Sequence, residues 1–171
     1  MNLPQRMRPN MAAGYGISKA DEGLMEWSWA DEQLKQSKNY WICSTRPDGR
    51  PHAAPVWGAW HDGALYFGSD RQAVKARNLA ANPQVVMHLE SGDDVVIVEG
   101  TVREYKFGSE LGEQALLETL AADLTRKYPA FPQTPDEMRK NMLLVLKPSS
   151  ALAWLEKSYP NTATKFVFNE A

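Results

Sequence analysis

The chain has 171 residues, and its apolar content of 43% and charged content of 23% are ordinary for one globular domain with a hydrophobic core. A formal net charge of −2 disfavours a general binder of nucleic acid or of acidic membranes. No apolar run approaches the roughly 20 residues that a membrane span needs, and no signal peptide is recognisable, so we expect a cytoplasmic protein. The single cysteine, Cys43, excludes an internal disulfide and fits a reducing compartment.

The N-terminal part predicts an irregular arm that precedes one domain. Residues 1–23 contain prolines, glycines and few periodic apolar positions, whereas residues 24–171 show the patterns of strands and helices. Ser28, with Asp31 three residues later, predicts a capping box at the start of a short helix that ends near Ser37.

Short apolar runs separated by turn residues predict an antiparallel sheet in the middle of the chain. Asp48-Gly49 and Asp62-Gly63 are tight-turn dipeptides between runs rich in β-branched and aromatic residues. Residues 95–105 carry apolar side chains on both faces, which predicts a central strand. Strands joined in this way favour a small barrel or a sandwich, and the spacing alone leaves both open. The other predicted strands comprise residues 40–45, 51–60, 65–67 and 85–89.

The C-terminal third combines helices with further strands. Leu116, Leu120 and Leu124 recur at helical spacing, so a long amphipathic helix is predicted over residues 109–128. Prolines end this helix, and a short helix is predicted over residues 136–140. Strands are then predicted over 143–146 and 151–155, interrupted by Lys147-Pro148, and over 164–168.

The start of the helix after the third predicted strand is a candidate phosphate site. Arg71, Lys75 and Asn78 are spaced i, i+4 and i+7, which predicts that they share one helix face. Unpaired backbone N–H groups in the first turn, these side chains and the hydroxyl of Ser69 together suit a bound phosphate. A solvated helix face is the alternative interpretation of the same charges.

Two prolines mark the second predicted strand as incomplete in its pairing. Pro51 and Pro55 cannot donate to a β-ladder, so part of this strand is expected to lack a neighbour on one side. A flat ligand could use the exposed backbone groups, and an edge strand protected by prolines is the alternative.

At these residues the chain resembles the pyridoxamine 5'-phosphate oxidase-like split-barrel family, which includes flavin-dependent and deazaflavin (F420)-dependent oxidoreductases. The segments RPDGRPHAAPVW, LYF, KARNLAANP and VVIVEG carry the resemblance, in this order along the chain. The resemblance implies a mainly β fold with flanking helices (α+β), an antiparallel split β-barrel of the FMN-binding type. The KARNL form is closer to the F420 branch, because Val74 stands where true pyridoxamine-phosphate oxidases have an arginine.

The same resemblance implies where a cofactor binds. The second predicted strand lies along the flavin or deazaflavin ring, Lys75 binds the cofactor phosphate, and Trp154 packs near the ring. Lys165 lies in the last strand, which often reads Thr-Arg-Trp in F420-type relatives. The lysine retains the positive charge of that arginine but lacks its bidentate guanidinium. The complete set of predicted cofactor-binding residues is His52, Pro55, Val56, Trp57, Phe67, Gly68, Ser69, Arg71, Lys75, Asn78, Trp154 and Lys165.

No side chain is assigned a catalytic role from the sequence, and no metal site is predicted. The three histidines have no cysteine or carboxylate at ligand spacing, and a bound flavin or deazaflavin carries hydride chemistry itself. The expected function is therefore hydride transfer between F420 and a small organic substrate, with FMN as the second choice. An FMN-binding oxidase-like protein and a non-catalytic flavin or haem carrier or sensor are the alternatives. The family also implies a homodimer with the site at its seam, and basic residues beyond Lys75 would suit the anionic tail of F420: Arg50, Arg77 and Lys165.

Overall fold

Antiparallel strands dominate the protein, whose computed structural model describes residues 3–108 and 112–169. The strands are β1 (Gln5–Met7), β2 (Asn39–Thr45), β3 (Pro51–His61), β4 (Ala64–Ser69), β5 (Gln84–His88), β6 (Asp94–Glu104), β7 (Met142–Leu155) and β8 (Thr164–Val167). The α-helices are α1 (Trp27–Gln36), α2 (Val74–Ala81), α3 (Glu113–Lys127), α4 (Pro135–Lys140) and α5 (Tyr159–Thr162). Single 3₁₀ turns lie at Ala13–Tyr15 and Glu156–Ser158.

Six of these strands close into a barrel, so the choice between barrel and sandwich is settled in favour of the barrel. The order is β7-β4-β3-β2-β5-β6, and β6 pairs again with β7 to complete the circuit. Strand β6 thus has neighbours on both sides, which confirms the prediction that it is central. The remaining strands, β8 and β1, extend the sheet outward from β7.

Two apolar clusters hold the barrel and its helices together. The barrel interior is filled by side chains such as Tyr40, Ile42, Phe67 and Leu146, and α1 closes it with Trp27 and Leu34. The second cluster lies on the outside of β3, β4 and β7, where α3 and α4 pack. Helix α3 buries Leu117, Leu120 and Ala121, so the predicted amphipathic helix is confirmed with a slightly different buried stripe. Residues 109–111 of the predicted helix lie outside the described residues.

Strand β7 is continuous through Lys147-Pro148, where the sequence predicted an interruption. It keeps its pairing with β6 because the register shifts by one position between Glu99 and Gly100, opposite the proline. Gly100 permits this close crossing, since a Cβ there would lie 2.2 Å from the carbonyl oxygen of Lys147.

The predicted capping box at the start of α1 is wrong. The helix begins at Trp27, so Ser28 lies inside its first turn, and Glu26 at the cap makes no side-chain hydrogen bond. Packing explains the earlier start, because the Trp27 ring contacts Trp60, Phe166 and Phe168. Asp31 accepts a hydrogen bond of 2.8 Å from Nε1 of Trp60 and pairs with Lys35.

The N-terminal arm is less irregular than predicted. Gln5–Met7 pair with β8, and the guanidinium of Arg8 donates to the backbone carbonyls of Ala20, Glu22, Asn161 and Ala163. The strand pairing and two of these four bonds fasten the arm to β8 and to the residues just before it, and the other two bonds lie within the arm. None of the described helices is long and apolar enough to cross a membrane.

Candidate functional site

The β3–β4 hairpin and the start of α2 border two cavities that lie side by side on the outside of the barrel. They have volumes of about 380 and 360 Å³, and both are lined by Gly68, Lys75, Leu124 and Gln133. The first is more polar, with Ser69, Asp70 and Asn141 in its lining, and Phe67 also borders it. The second is mainly apolar and runs along Pro55, Val56 and Trp57 of β3. Volumes of this size suit small ligands.

Lys75 lies where the two cavities meet. It stands in the first turn of α2, and among the described residues it has neither an ion pair nor a side-chain hydrogen bond. An uncompensated ammonium in a cleft attracts an anionic group such as a phosphate. Gly68 borders both cavities, is exposed, and a Cβ there would meet nothing within 4 Å, so the backbone is open to a ligand.

The predicted set of phosphate-binding side chains is only partly brought together. Ser69 and Lys75 line the same cavity, but α2 begins at Val74, so Arg71 precedes the helix and the predicted shared helix face is wrong. The helix begins later than predicted because a turn precedes it. In this turn a carboxylate oxygen of Asp70 accepts a hydrogen bond of 2.6 Å from the backbone N–H of Gln72. The guanidinium of Arg71 is bound to Glu104, 2.5 Å away, and this pair lowers the pKa of Glu104.

Asn78 faces the barrel and not the cavities. It is 2% exposed, and its amide donates a hydrogen bond of 3.0 Å to the hydroxyl of buried Ser44 on β2. Burial of Ala76 and Leu79 on the same helix turns this side of α2 inward. The Asn78 side chain therefore links α2 to β2.

His52 lies on the same face of the sheet as this polar pair, since it is the register partner of Ser44. The ring is half-buried, and its Nδ1 atom is buried without a hydrogen-bond partner among the described residues. It is not among the residues that line the two cavities.

The expected gap in the pairing of β3 is present. Residues 51–57 pair with β2, whereas pairing with β4 begins only at Gly58. Pro51, Ala53, Pro55 and Trp57 alternate as exposed positions along this half-paired segment. Among the described strands, the side of this segment away from β2 has no partner, and its last three residues line the second cavity.

An aromatic wall of Trp57, Tyr128 and Phe131 forms one side of the second cavity. Trp57 is stacked on Tyr128 with ring centroids 4.2 Å apart and planes at 12°, and Phe131 lies 5.3 Å from Trp57. Sequence reasoning found Trp57 and missed the other two, because they come from the end of α3 and the loop after it. Only the packing of α3 against the barrel brings them to β3.

The C-terminal end of α3 is anchored to β3 next to this wall. The buried ammonium of Lys127 donates to the carbonyl of Gly58 at 3.3 Å and to the hydroxyl of Tyr40 at 3.1 Å, and it pairs with Asp123 at 3.0 Å. Burial lowers the pKa of Lys127 against the opposing effect of Asp123. The hydroxyl of Tyr128 donates to the carbonyl of Lys38, and burial raises the pKa of this tyrosine to about 12.

Trp154 and Lys165 lie on another part of the molecule. Trp154 is near the end of β7, where its Nε1 donates to Glu156 and its ring meets the edge of Tyr159. Lys165 is on β8, three positions away from β3 in the order of the sheet, with β7 and β4 between them. Neither side chain lines the cavities beside Lys75.

Fold and site together define a small antiparallel barrel protein with a cation-bearing cleft outside the barrel. The sequence model described as pyridoxamine 5'-phosphate oxidase matches residues 29–155, and the chain belongs to this family. A search of curated proteins gave no match.

Solved structures confirm the split-barrel fold. An F420 reductase is 23% identical, with a TM-score of 0.54 over 71% of this chain and 94% of that chain. The haem storage protein HutZ of Vibrio cholerae is 18% identical, with a TM-score of 0.54 over 71% of this chain and 88% of its own. An FAD-binding protein of Mesorhizobium loti is 15% identical, with a TM-score of 0.59 over 85% of this chain and 96% of its own.

Proposed function

We propose that the protein is an oxidoreductase that transfers hydride between a bound F420 and a small organic substrate, with FMN as the second choice of cofactor. The observation that carries the proposal is Lys75, an uncompensated cation at the junction of two cavities, beside the half-paired segment of β3. The similarity to an F420 reductase and to an FAD-binding protein supports a cofactor of this chemical class.

The residues present fit a cofactor with a phosphate and a flat ring. Lys75, the hydroxyl of Ser69 and the open backbone of Gly68 would hold the phosphate. The exposed side of Pro51–Trp57 would lie along the ring. A flavin or deazaflavin supplies the hydride chemistry when bound, and the chain's own residues bind it, orient it and exclude water. No side chain is assigned the role of acid or base.

F420 is preferred to FMN because of the KARN sequence at residues 75–78 and because a longer anionic tail would use basic residues beyond the phosphate. Arg77 and Arg50 are exposed. Arg50 is paired with Asp48, and Arg77 donates to the carbonyl of Gln72, so a bound tail would have to replace or share these bonds. Each such contact would contribute modestly and be screened by salt.

A homodimer is part of the proposal, because the described residues of one copy leave a mainly apolar row of the sheet partly exposed. Register partners on five consecutive strands share one outward face, and none of them is fully buried: Pro55, Trp41, His88, Ile97 and Leu152. Lys165 continues this row on β8. Along this row five strand spacings separate Lys165 from Pro55, and in the other direction around the barrel, through β7 and β4, their strands are three spacings apart. In a two-fold dimer, the β8 end of the partner's row would lie against β3 of this copy. Lys165 and Trp154 of the partner subunit would then complete the site.

Titration of the purified protein with F420 and with FMN, each at low and high salt, tests the cofactor. The proposal predicts tighter binding of F420 and an advantage that shrinks as salt rises. Tighter binding of FMN under both conditions would assign the protein to the flavin branch. If neither cofactor binds, the proposed function is wrong.

Reoxidation separates the enzyme from a carrier. The bound cofactor is reduced chemically, a panel of organic acceptors is added, and the absorption spectrum is followed. The proposal predicts rapid reoxidation by at least one acceptor. A cofactor that binds tightly but stays reduced with every acceptor would support a non-catalytic carrier. The similarity to the haem storage protein is the argument for this second role.

A further inference from the structure

Much of the aromatic wall is open to solvent, although its inner ring is buried. Trp57 is 48% exposed and Phe131 is 59% exposed, both large apolar side chains that a protein usually covers. Behind them Tyr128 is buried, stacked on Trp57 and bonded to the carbonyl of Lys38. The stacked pair of Trp57 and Tyr128 is thus formed without a ligand, which lowers the entropy cost of binding one against it.

The second cavity also has a defined charge. Among the described residues that line it, Lys75 is cationic and there is no carboxylate. A positively charged ligand would gain no ion pair from these residues, and in the proposed function their one cation is already paired with the cofactor phosphate. The stacked rings favour a planar aromatic surface over a saturated one of the same size.

We propose that the aromatic wall binds the organic substrate, and that this substrate is a flat aromatic molecule without positive charge. The inference rests on the proposed function, in which the cofactor ring lies along Pro51–Trp57 and its phosphate at Lys75. The substrate then occupies the Trp57 end of the second cavity, between the wall and the cofactor.

Three probes of similar size test the chemistry of the wall: 2-naphthoate, its saturated analogue decahydro-2-naphthoate, and the cation 2-naphthylmethylammonium. Binding is measured by calorimetry and ligand-observed NMR, with the protein as isolated and again with its cofactor bound. We expect 2-naphthoate to bind in both states and to bind about threefold to tenfold tighter than the saturated acid, the range of an aromatic contact. We expect the cation to bind more weakly than 2-naphthoate.

Phe131→Leu is the test variant, and Tyr15→Leu is its matched control. Tyr15 is 60% exposed, as open as Phe131, but it belongs to the N-terminal arm and does not line the cavities. Phe131→Leu should weaken binding of 2-naphthoate about threefold to tenfold, while Tyr15→Leu should leave it unchanged. Both variants should bind the cofactor as the parent protein does.

Three results would overturn the inference. These are equal affinity for 2-naphthoate and its saturated analogue, unchanged affinity in Phe131→Leu, and competition between 2-naphthoate and the cofactor. Competition would assign the wall to the cofactor ring. Failure of both cofactors to bind is a separate outcome, since it contradicts the proposed function while the probe series still shows whether the wall binds flat aromatic anions.

Discussion

Lys75 and Asn78 are three residues apart on one short helix, and their surroundings give them different roles. Lys75 opens into the cavities without a partner among the described residues, whereas Asn78 is bonded to Ser44 inside the structure. Asn78, whose hydrogen bond is made within the fold, is expected to stabilise the protein. Lys75, which has no such partner among the described residues, is expected to bind a ligand.

Asn78→Ala is therefore expected to lower the free energy of unfolding by about 1–3 kcal/mol, because the hydroxyl of Ser44 loses its buried partner. Lys75→Ala is the comparison on the same helix, and it should unfold at nearly the parent denaturant concentration. Urea unfolding measures both. If Asn78→Ala is as stable as the parent protein but binds the cofactor more weakly, Asn78 belongs to the phosphate site after all.

Tyr128 makes the stability of the protein dependent on pH in the alkaline range. Burial raises its pKa to about 12, whereas a tyrosine in an unfolded chain titrates near about 10. Between these values the unfolded chain releases a proton that the folded protein keeps, so the free energy of unfolding falls as pH rises.

Urea unfolding at about pH 9, 10 and 11 should show this loss in the parent protein and a shallower loss in Tyr128→Phe. Burial also raises the pKa of Tyr40, whose contribution has the same sign and remains in both proteins. Parallel pH profiles for the two proteins would show that Tyr128 ionises equally easily in the folded and unfolded states.

Helix α3 is the element that completes the second cavity, because its C-terminal end brings Tyr128 to Trp57. The attachment passes through Lys127, whose ammonium reaches Gly58 on β3 and Tyr40 on β2. Its other partner, Asp123, also pairs with Arg126, so this carboxylate does not depend on Lys127 alone.

Lys127→Ala should lower the free energy of unfolding by about 2–4 kcal/mol, since it leaves a cavity and an unpaired carbonyl in a buried place. Lys127→Met should cost less, about 1 kcal/mol, because its stem fills the space and no charge is buried. Thermal unfolding of both variants shows whether Lys127 stabilises the protein mainly by filling space or mainly by its charge. If Met is as costly as Ala, the ion pair with Asp123 outweighs the packing.

The elements that the sequence predicted well are those that depend on local pattern. The Asp62-Gly63 turn has positive φ at both residues, as a tight hairpin requires, and the half-paired segment of β3 follows from Pro51 and Pro55. The capping box at Ser28 failed because distant packing of Trp27 set the start of the helix. The spacing of Arg71, Lys75 and Asn78 failed because the turn at Asp70 delays α2.

The candidate site was predictable where it lies on β3, β4 and the start of α2. Tyr128 and Phe131 were not, because an aromatic residue after a helix has no periodic signature, and only the docking of α3 shows which strand it meets. Trp154 and Lys165 followed only from the family resemblance, and within one copy they lie away from the cavities.

At the scale of the whole molecule, the proposed dimer rests on the mainly apolar row that joins Pro55 to Leu152. Ile97 is the fourth of the five residues of this row in the barrel, and it lies between its register partners His88 and Leu152. A charge placed there would be buried without a partner in the proposed dimer.

Ile97→Glu is expected to weaken the dimer at least about tenfold and to give a monomer at micromolar concentration. Thr119→Glu adds the same charge at an exposed position of α3 and should leave the dimer intact. Light scattering after gel filtration measures both. A parent protein that is already monomeric at micromolar concentration would contradict the dimer.

The affinity of Lys75→Ala for F420 and FMN tests the central claim, that this lysine holds the cofactor phosphate. We predict a loss of about 1–3 kcal/mol for whichever cofactor the parent protein binds, the range of a charge-assisted hydrogen bond. Arg71→Ala is the control, because its guanidinium is held by Glu104 outside the cavities, and it should bind within about twofold of the parent. Unchanged affinity of Lys75→Ala for both cofactors, or a larger loss in Arg71→Ala, would contradict the account.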